Sequence, residues 1–294
     1  MTKTSTVGAA LVGGTKRLRT SGSPSARLDA EVLLAHVTGR NRSWVLAHPD
    51  AALVEAAAFA AALDRRASGE PIAYIRGFKE WRSLRIRTDA RALIPRPETE
   101  LLAEEAMTAI AARLTRDTTP LVAWDVATGS GAVIVALAIR FRSALTEHRL
   151  SLVASDVSPE ALELASENLA AHGVDTNVTL SCADLLEPAG GALPHPHIIV
   201  ANLPYVPSET VATGHGSMAF EPRLAVDGGP DGLALLRRFL EELPDRAAPG
   251  ASVLLEIGAG QADAVAAMAP AGASVSVVAD LAGIDRVARV EMPD

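Results

Sequence analysis

The spacing of apolar positions changes character twice along the chain. The first twenty residues are small, polar and basic, the composition of a frayed arm or a loosely held helix. From Arg27 the spacing of Leu28, Val32, Leu33, His36 and Val37 draws one apolar stripe along a helix, with Asp29 and Glu31 near its positive end. A short helix follows over 44–48, and an alanine-rich one over 51–66 stops before Ser68-Gly69. Residues 1–70 thus read as a small helical bundle. Over 71–98 the pattern is that of short strands, 72–77 and 81–87, leading to Ile94-Pro95-Arg96-Pro97, where two prolines force extended backbone.

From residue 99 a helix runs to about 114, and then strands and helices alternate. Apolar runs fall at 121–127, 150–155, 178–181, 198–201, 252–257, 274–278 and 287–290. Helical patterns at 132–140, 159–171, 232–243 and 261–268 separate most of them. This order predicts an α/β domain over 99–294, a mostly parallel seven-stranded sheet with helices on both faces. Runs of valine and isoleucine without polar alternation agree with burial on both sides.

Composition narrows the function classes. The chain has 294 residues, 49% hydrophobic and 21% charged, enough for two domains. Nothing approaches the ~18 uninterrupted apolar residues of a spanning helix, and the start lacks a signal peptide, so no membrane association or export is expected. The lone Cys182 makes no internal disulfide, as suits the cytoplasm, and is expected as a buried small apolar group. A formal charge of −8 argues against indiscriminate nucleic-acid binding.

The strongest local signal is Val126-Ala127-Thr128-Gly129-Ser130-Gly131, directly after one strand and before a helix. Glycines there let backbone approach a ligand, and the helix start offers free N–H groups. Asp156 closes the next strand, where a carboxylate can accept both ribose hydroxyls of an adenosine. The third glycine of a dinucleotide fingerprint is missing, Asp156 lies beyond the ~20-residue spacing of such a site, and no phosphate-loop ending follows. S-adenosylmethionine, a nucleoside without a pyrophosphate, fits better. Asp184, after the third strand, is either the acceptor for the adenine amino group or a helix N-cap; Leu185 would pack on the adenine face.

The chemistry is expected after the fourth strand, at Asn202-Leu203-Pro204-Tyr205. An amide or aniline-like nitrogen has a delocalised lone pair and is a poor nucleophile. The Asn202 side-chain oxygen and the Leu203 carbonyl can grip its two hydrogens, Pro204 stiffens the turn, and Tyr205 covers the planar group. Asn202 would also border the cofactor. An adenine amine on RNA or DNA poses the same problem and would suit the same loop, which keeps a nucleic-acid methyltransferase open as an alternative. So does a non-catalytic adenosine-binding module.

The chain from about Arg27 resembles the protein-glutamine methyltransferases that modify peptide chain release factors, the HemK/PrmC family. The resemblance is carried by Arg27-Leu28-Asp29-Ala30-Glu31-Val32-Leu33-Leu34, by Gly69-Glu70-Pro71-Ile72-Ala73-Tyr74-Ile75-Arg76-Gly77 and by Leu93-Ile94-Pro95-Arg96-Pro97-Glu98-Thr99-Glu100. Asp156-Val157-Ser158-Pro159-Glu160-Ala161-Leu162, Glu221-Pro222-Arg223-Leu224-Ala225 with Asp227-Gly228-Gly229, and Asp280-Leu281-Ala282-Gly283 continue it. It implies the S-adenosylmethionine-dependent methyltransferase fold and helices over 1–70 that help dock the substrate protein; a monomer is expected. It also implies that the methyl acceptor is the glutamine of a Gly-Gly-Gln loop in release factors, its amide held by residues 202–205. Two positions depart from the family: Leu203 replaces a proline but keeps the carbonyl, and Ala127 stands where glycine is commoner.

Other residues have plainer readings. His195-Pro196-His197 lacks a third ligand, so no metal is expected. His172 ends a helix before Gly173. Arg96 anchors a carboxylate of cofactor or partner, or pairs with Glu98 or Glu100. Glu221-Pro222-Arg223 is expected to brace the acceptor loop through a buried ion pair, and the segment 212–220 has the composition of a lid.

Overall fold

A computed structural model of the chain describes residues 6–188, 194–214 and 216–294. Its first element is firmer than the sequence suggests. α1 (Val7–Thr20) is capped by the Thr6 hydroxyl, which accepts the Ala9 N–H, and buries Val7, Leu11 and Leu18. Its glycines lower helix propensity, but Gly14 lets the helix lie so close to Phe59 that a Cβ would stand 2.9 Å from the ring. Packing therefore outweighs propensity, and the segment expected as a frayed arm or a loosely held helix is a core helix.

α2 (Ala26–Thr38), α3 (Arg42–Ala47) and α4 (Ala56–Ala67) complete the bundle, packed around Leu33, Leu34, Val45 and Leu63. The charged residues of the Arg27 motif are scaffolding. Asp29 accepts hydrogen bonds from Ser23, Ser25 and Arg66, and Glu31 accepts from Arg27 and Arg42. Residues 72–77, expected as a strand, form α5 (Ile72–Arg76) instead. Tyr74 and Ile75 are buried there, and Gly77 at φ +74° ends the turn by donating to the Ala73 and Tyr74 carbonyls. The described residues up to 78, with 216–220, make one compact unit; those of 79–214 and from 221 onward make a second.

The second unit opens with a hairpin, β1 (Phe78–Trp81) and β2 (Leu84–Arg87), turned by Arg82 and Ser83 at positive φ. There follow α6 (Thr99–Arg116), β3 (Leu121–Val126), α7 (Ala132–Arg140), α8 (Arg142–Thr146), β4 (Leu150–Asp156) and α9 (Pro159–Ala171). Then come β5 (Val178–Asp184), β6 (Glu187–Pro188), β7 (Ile198–Ala201), α10 (Ser208–Ala212), α11 (Ala234–Arg246), β8 (Ser252–Glu256), α12 (Ala262–Met268), β9 (Ser274–Ala279) and β10 (Asp285–Glu291).

The seven main strands form the expected mostly parallel sheet, extended at one edge by the two-residue β6; the order is β6-β5-β4-β3-β7-β8-β10-β9. β5, β4, β3, β7 and β8 run parallel, and β10 is antiparallel to both its neighbours. β7 shows why such strands lack polar alternation: Ile198 and Val200 join the core on one face, Ile199 and Ala201 the core on the other. Chain order reverses between β3 and β7, and the carboxyl ends of strands at such a reversal border a crevice.

One local reading is corrected, that of Cys182 as a buried group. Cys182 is exposed on β5, whose next two residues, Ala183 and Asp184, pair with Pro188 and Glu187 of β6. His197 joins the sheet, its Nδ1 accepting the Val122 N–H at 3.1 Å. His172 caps α9 with Gly173 at φ +63° behind it. The segment read as a lid holds the end of α10 and a 3-10 turn, Gly216–Phe220; His215 lies outside the described residues. Among the described residues no helix is long and apolar enough to cross a membrane.

Candidate active site

A cavity of about 350 Å³ opens at the carboxyl ends of β3, β4, β5 and β7. One wall is the loop after β3. Ala127, Gly129 and Gly131 take φ of +56°, +54° and +78°. This left-handed alternation suits glycine, and Ala127 bears a cost of about 1 kcal/mol for it. The Thr128 N–H donates to the Ser155 carbonyl at 2.8 Å, and the Thr128 hydroxyl to Asp125 Oδ2 at 2.6 Å. Gly129 donates its N–H to Asp156 Oδ2 at 2.9 Å, while Asp156 Oδ1 accepts from the Ser158 N–H at 3.0 Å. Each Asp156 oxygen keeps a lone pair for a ligand hydroxyl. Burial nevertheless lifts the Asp156 pKa above the ordinary carboxylate range.

Ala127, Thr128, Gly129 and Ser130 line the cavity with Asp156. Gly131 stands behind them as the N-cap of α7, where a Cβ would come 3.1 Å from that of Ala165 on α9. Its need for glycine is one of packing and φ. Asp184 and Leu185 reach the same cavity. Asp184 caps no helix, because a turn into β6 follows it. Its carboxylate pairs with Arg238 of α11 at 2.9 Å, and Leu185 turns at φ +54° with its side chain buried.

Asp125 is the residue that motif reading passes over. It is fully buried, lines the cavity, and is pushed up to about 7 by burial, with Asp156 adding and the Thr128 hydroxyl opposing. A carboxyl in the middle of an apolar run buried on both faces was the available signal. A cation placed beside it would favour its ionised form and offset part of that burial penalty.

The opposite wall is the loop after β7. Asn202, Leu203 and Pro204 line the cavity, and Asn202 Nδ2 donates to Thr99 Oγ1 at 3.1 Å. The Leu203 side chain is buried in the core, which leaves its backbone as the polar part. Tyr205 is absent from the lining. Its ring lies where a Cβ on Gly258 would approach to 3.1 Å, and burial followed by the Glu256 charge pushes its hydroxyl to about 12.

Distant segments clamp this loop. A Cβ on Gly228 would stand 2.8 Å from the Tyr205 Cα, and one on Gly232 2.4 Å from the Tyr205 carbonyl oxygen. Gln261 donates to that carbonyl at 3.4 Å and to the Gly232 carbonyl at 3.3 Å. Arg96, in the cavity lining, pairs with Glu221 and not with Glu98 or Glu100; Arg223 pairs with Asp227 at 2.8 Å. Burial raises the Glu221 pKa, and the Arg96 guanidinium opposes the rise. The result is a pocket with a hydroxyl-accepting carboxylate, a buried acid, apolar walls, and the polar Asn202–Pro204 loop opposite. That donor set fits a nucleoside with a cationic tail.

Known proteins bear on this geometry. Residues 9–77 match the model of the PrmC N-terminal domain, and residues 101–229 that of the N-6 DNA methylase family. The release factor glutamine methyltransferase of Deinococcus radiodurans is 38% identical over 95% of this chain and 96% of its own. A solved protein-(glutamine-N5) methyltransferase (release factor-specific) from Alicyclobacillus acidocaldarius is 31% identical over 68% of this chain and 95% of its own, with a TM-score of 0.39. The hMettl16 catalytic domain, solved with MAT2A 3'UTR hairpin 6, covers 81% of each chain at 12% identity and a TM-score of 0.50, a likeness of fold. Identity at this level across almost the whole chain places it, by descent, in the release factor glutamine methyltransferase family.

Proposed function

We propose that this methyltransferase moves a methyl group from S-adenosylmethionine to the side-chain amide nitrogen of a glutamine, in the Gly-Gly-Gln loop of a peptide chain release factor. The observation that carries the reading is the meeting of residues 127–130, Asp156 and residues 202–204 around one cavity. Asp156 holds the ribose hydroxyls, Leu185 packs on the adenine, and Asp184, shared with Arg238, takes the adenine amino group. Asp125 faces the cationic tail. Bound there, S-adenosylmethionine supplies a methyl already activated on a positively charged sulfur.

The work left to the chain is to make a reluctant nitrogen attack. Asn202 Oδ1 and the Leu203 carbonyl each accept one N–H of the glutamine amide, which raises the electron density on nitrogen and fixes its direction. Pro204 keeps the two acceptors in register, and Tyr205, outside the cavity lining, braces the turn from behind. Orientation of this kind is worth up to about 7–11 kcal/mol, and one well-placed polar contact about 3 kcal/mol. As methyl arrives, the nitrogen acidifies and gives its proton to solvent. The helices of residues 6–78 serve as the docking face for the substrate protein.

The test is mass spectrometry of a purified release factor after incubation with the enzyme and S-adenosylmethionine. A gain of one methyl on the Gly-Gly-Gln glutamine, with none on RNA or DNA oligonucleotides, is the expected result. Transfer to adenine in the oligonucleotides and none to the protein would overturn it.

A further inference from the structure

The parallel register of β7 and β8 pairs Ala201 with Leu255, so Asn202 and Glu256 follow side by side at the sheet's carboxyl edge. Glu256 is 4% exposed, and among the described residues neither of its oxygens completes a hydrogen bond. Burial pushes the carboxyl up; the Thr99 and Asn202 side chains pull against that rise. Thr99, the first residue of α6, is 5% exposed.

The Asn202–Thr99 contact sets a direction. Thr99 Oγ1 accepts the Asn202 Nδ2 hydrogen, so the hydroxyl's own hydrogen goes to another acceptor. The Glu256 carboxyl beside it is the group placed to draw that hydrogen, since it offers a carbonyl oxygen in either protonation state. An asparagine amide has nearly the same shape either way round, and only its neighbours decide whether oxygen or nitrogen meets a ligand. Here acceptors crowd the side away from the cavity.

We propose that Thr99 and Glu256 are positioning residues that hold the Asn202 amide with its nitrogen toward α6 and β8 and its oxygen toward the cavity. A flipped amide would offer N–H groups to a substrate that brings N–H groups of its own. The inference rests on the reading of Asn202 as the group that grips the glutamine amide. It also accounts for a buried carboxyl without a completed hydrogen bond, which folding alone disfavours and an apolar residue of like volume would replace without loss of stability.

Glu256→Met, Glu256→Gln and Thr99→Val test it, each alone and combined with Asn202→Ala, assayed by methyl transfer to a release factor. Glu256→Met should lower kcat about tenfold or more while the KM for S-adenosylmethionine stays within about twofold. Its thermal midpoint should equal or exceed that of the wild type. Glu256→Gln, which keeps a carbonyl acceptor, should restore much of the rate, Thr99→Val should resemble Glu256→Met in kcat, and all three effects should vanish beside Asn202→Ala. A Glu256→Met loss that only follows a lowered midpoint, or that persists in full beside Asn202→Ala, would overturn the positioning role. The reading of Asn202 is judged separately, by whether Asn202→Ala alone loses transfer; if it does not, both fall.

Discussion

The loop at residues 127–131 takes its support from its own strand–loop–helix and from β4 and α9 that follow it, whereas the loop at residues 202–205 is held by α6 from one side of the chain and by two later loops from the other. On the cofactor side, positive φ at Ala127, Gly129 and Gly131, the Thr128–Asp125 bond and the Asp156–Gly129 bond all come from one strand–loop–helix and the strand beside it. On the acceptor side, Thr99, Gly228, Gly232, Gly258 and Gln261 converge from α6 and from two later loops. A self-supporting loop suits a ligand that stays the same whatever the methyl acceptor. A loop set by its surroundings can be tuned to one acceptor without disturbing the first site. The two loops should therefore fail independently.

The largest effect belongs to the cofactor side and concerns stability. The Asp125 pKa of about 7 lies above its ordinary 3.8, so the folded chain keeps a proton that the unfolded chain has lost. Stability attributable to this group is therefore lost as pH rises from about 4 through 7, by an amount of the order of 4 kcal/mol. Asp125→Asn should flatten that slope in denaturant titrations run across the range. An unchanged slope would show that Asp125 is ionised in the fold.

Next is Asn202→Ala, which should lower kcat at least about a hundredfold and leave cofactor affinity within about twofold by calorimetry. Asp156→Ala should do the converse, weakening cofactor binding about tenfold to a hundredfold by loss of a charged acceptor. Equal losses of both quantities in either variant would erase the distinction between the loops. Gly232→Ala puts a Cβ into the Tyr205 carbonyl at φ +75°. It should cost about tenfold in kcat by displacing the acceptor loop, with cofactor affinity retained. The smallest effect is expected of Leu203→Pro: the carbonyl acceptor survives, so transfer should stay within about threefold of wild type. A larger loss would mean that the Leu203 side chain, and not its backbone, matters to the acceptor.

The same contrast explains what the sequence reveals. The sheet and its helices are legible because each strand is a contiguous apolar run, and the cofactor loop because its glycines follow such a run. Asp156 is legible by its place at the end of the next strand. Thr99 and Gln261, by contrast, look like the first residues of ordinary helices, and Glu256 like the polar end of a strand. Their roles arise from β7 and β8 lying side by side, a topological fact that no local pattern carries. Local misreadings have local causes. The glycines in α1 conceal a helix that burial of Leu11 and Leu18 stabilises, and the Ile72–Ile75 spacing suits a helical turn as well as it suits a strand. Cys182 is apolar by type, but among the described residues its place on β5 is exposed.

The central claim is geometric: Asn202 presents an oxygen to the methyl-accepting nitrogen, in line with the donor sulfur. A crystal structure with S-adenosylhomocysteine and a Gly-Gly-Gln peptide tests it most directly. The account predicts Asn202 Oδ1 and the Leu203 carbonyl within hydrogen-bond distance of the glutamine amide nitrogen, about 2.7–3.2 Å, with that nitrogen facing the sulfur. An Asn202 side chain turned away from the sulfur, or a glutamine amide bound with its oxygen toward Asn202, would contradict it.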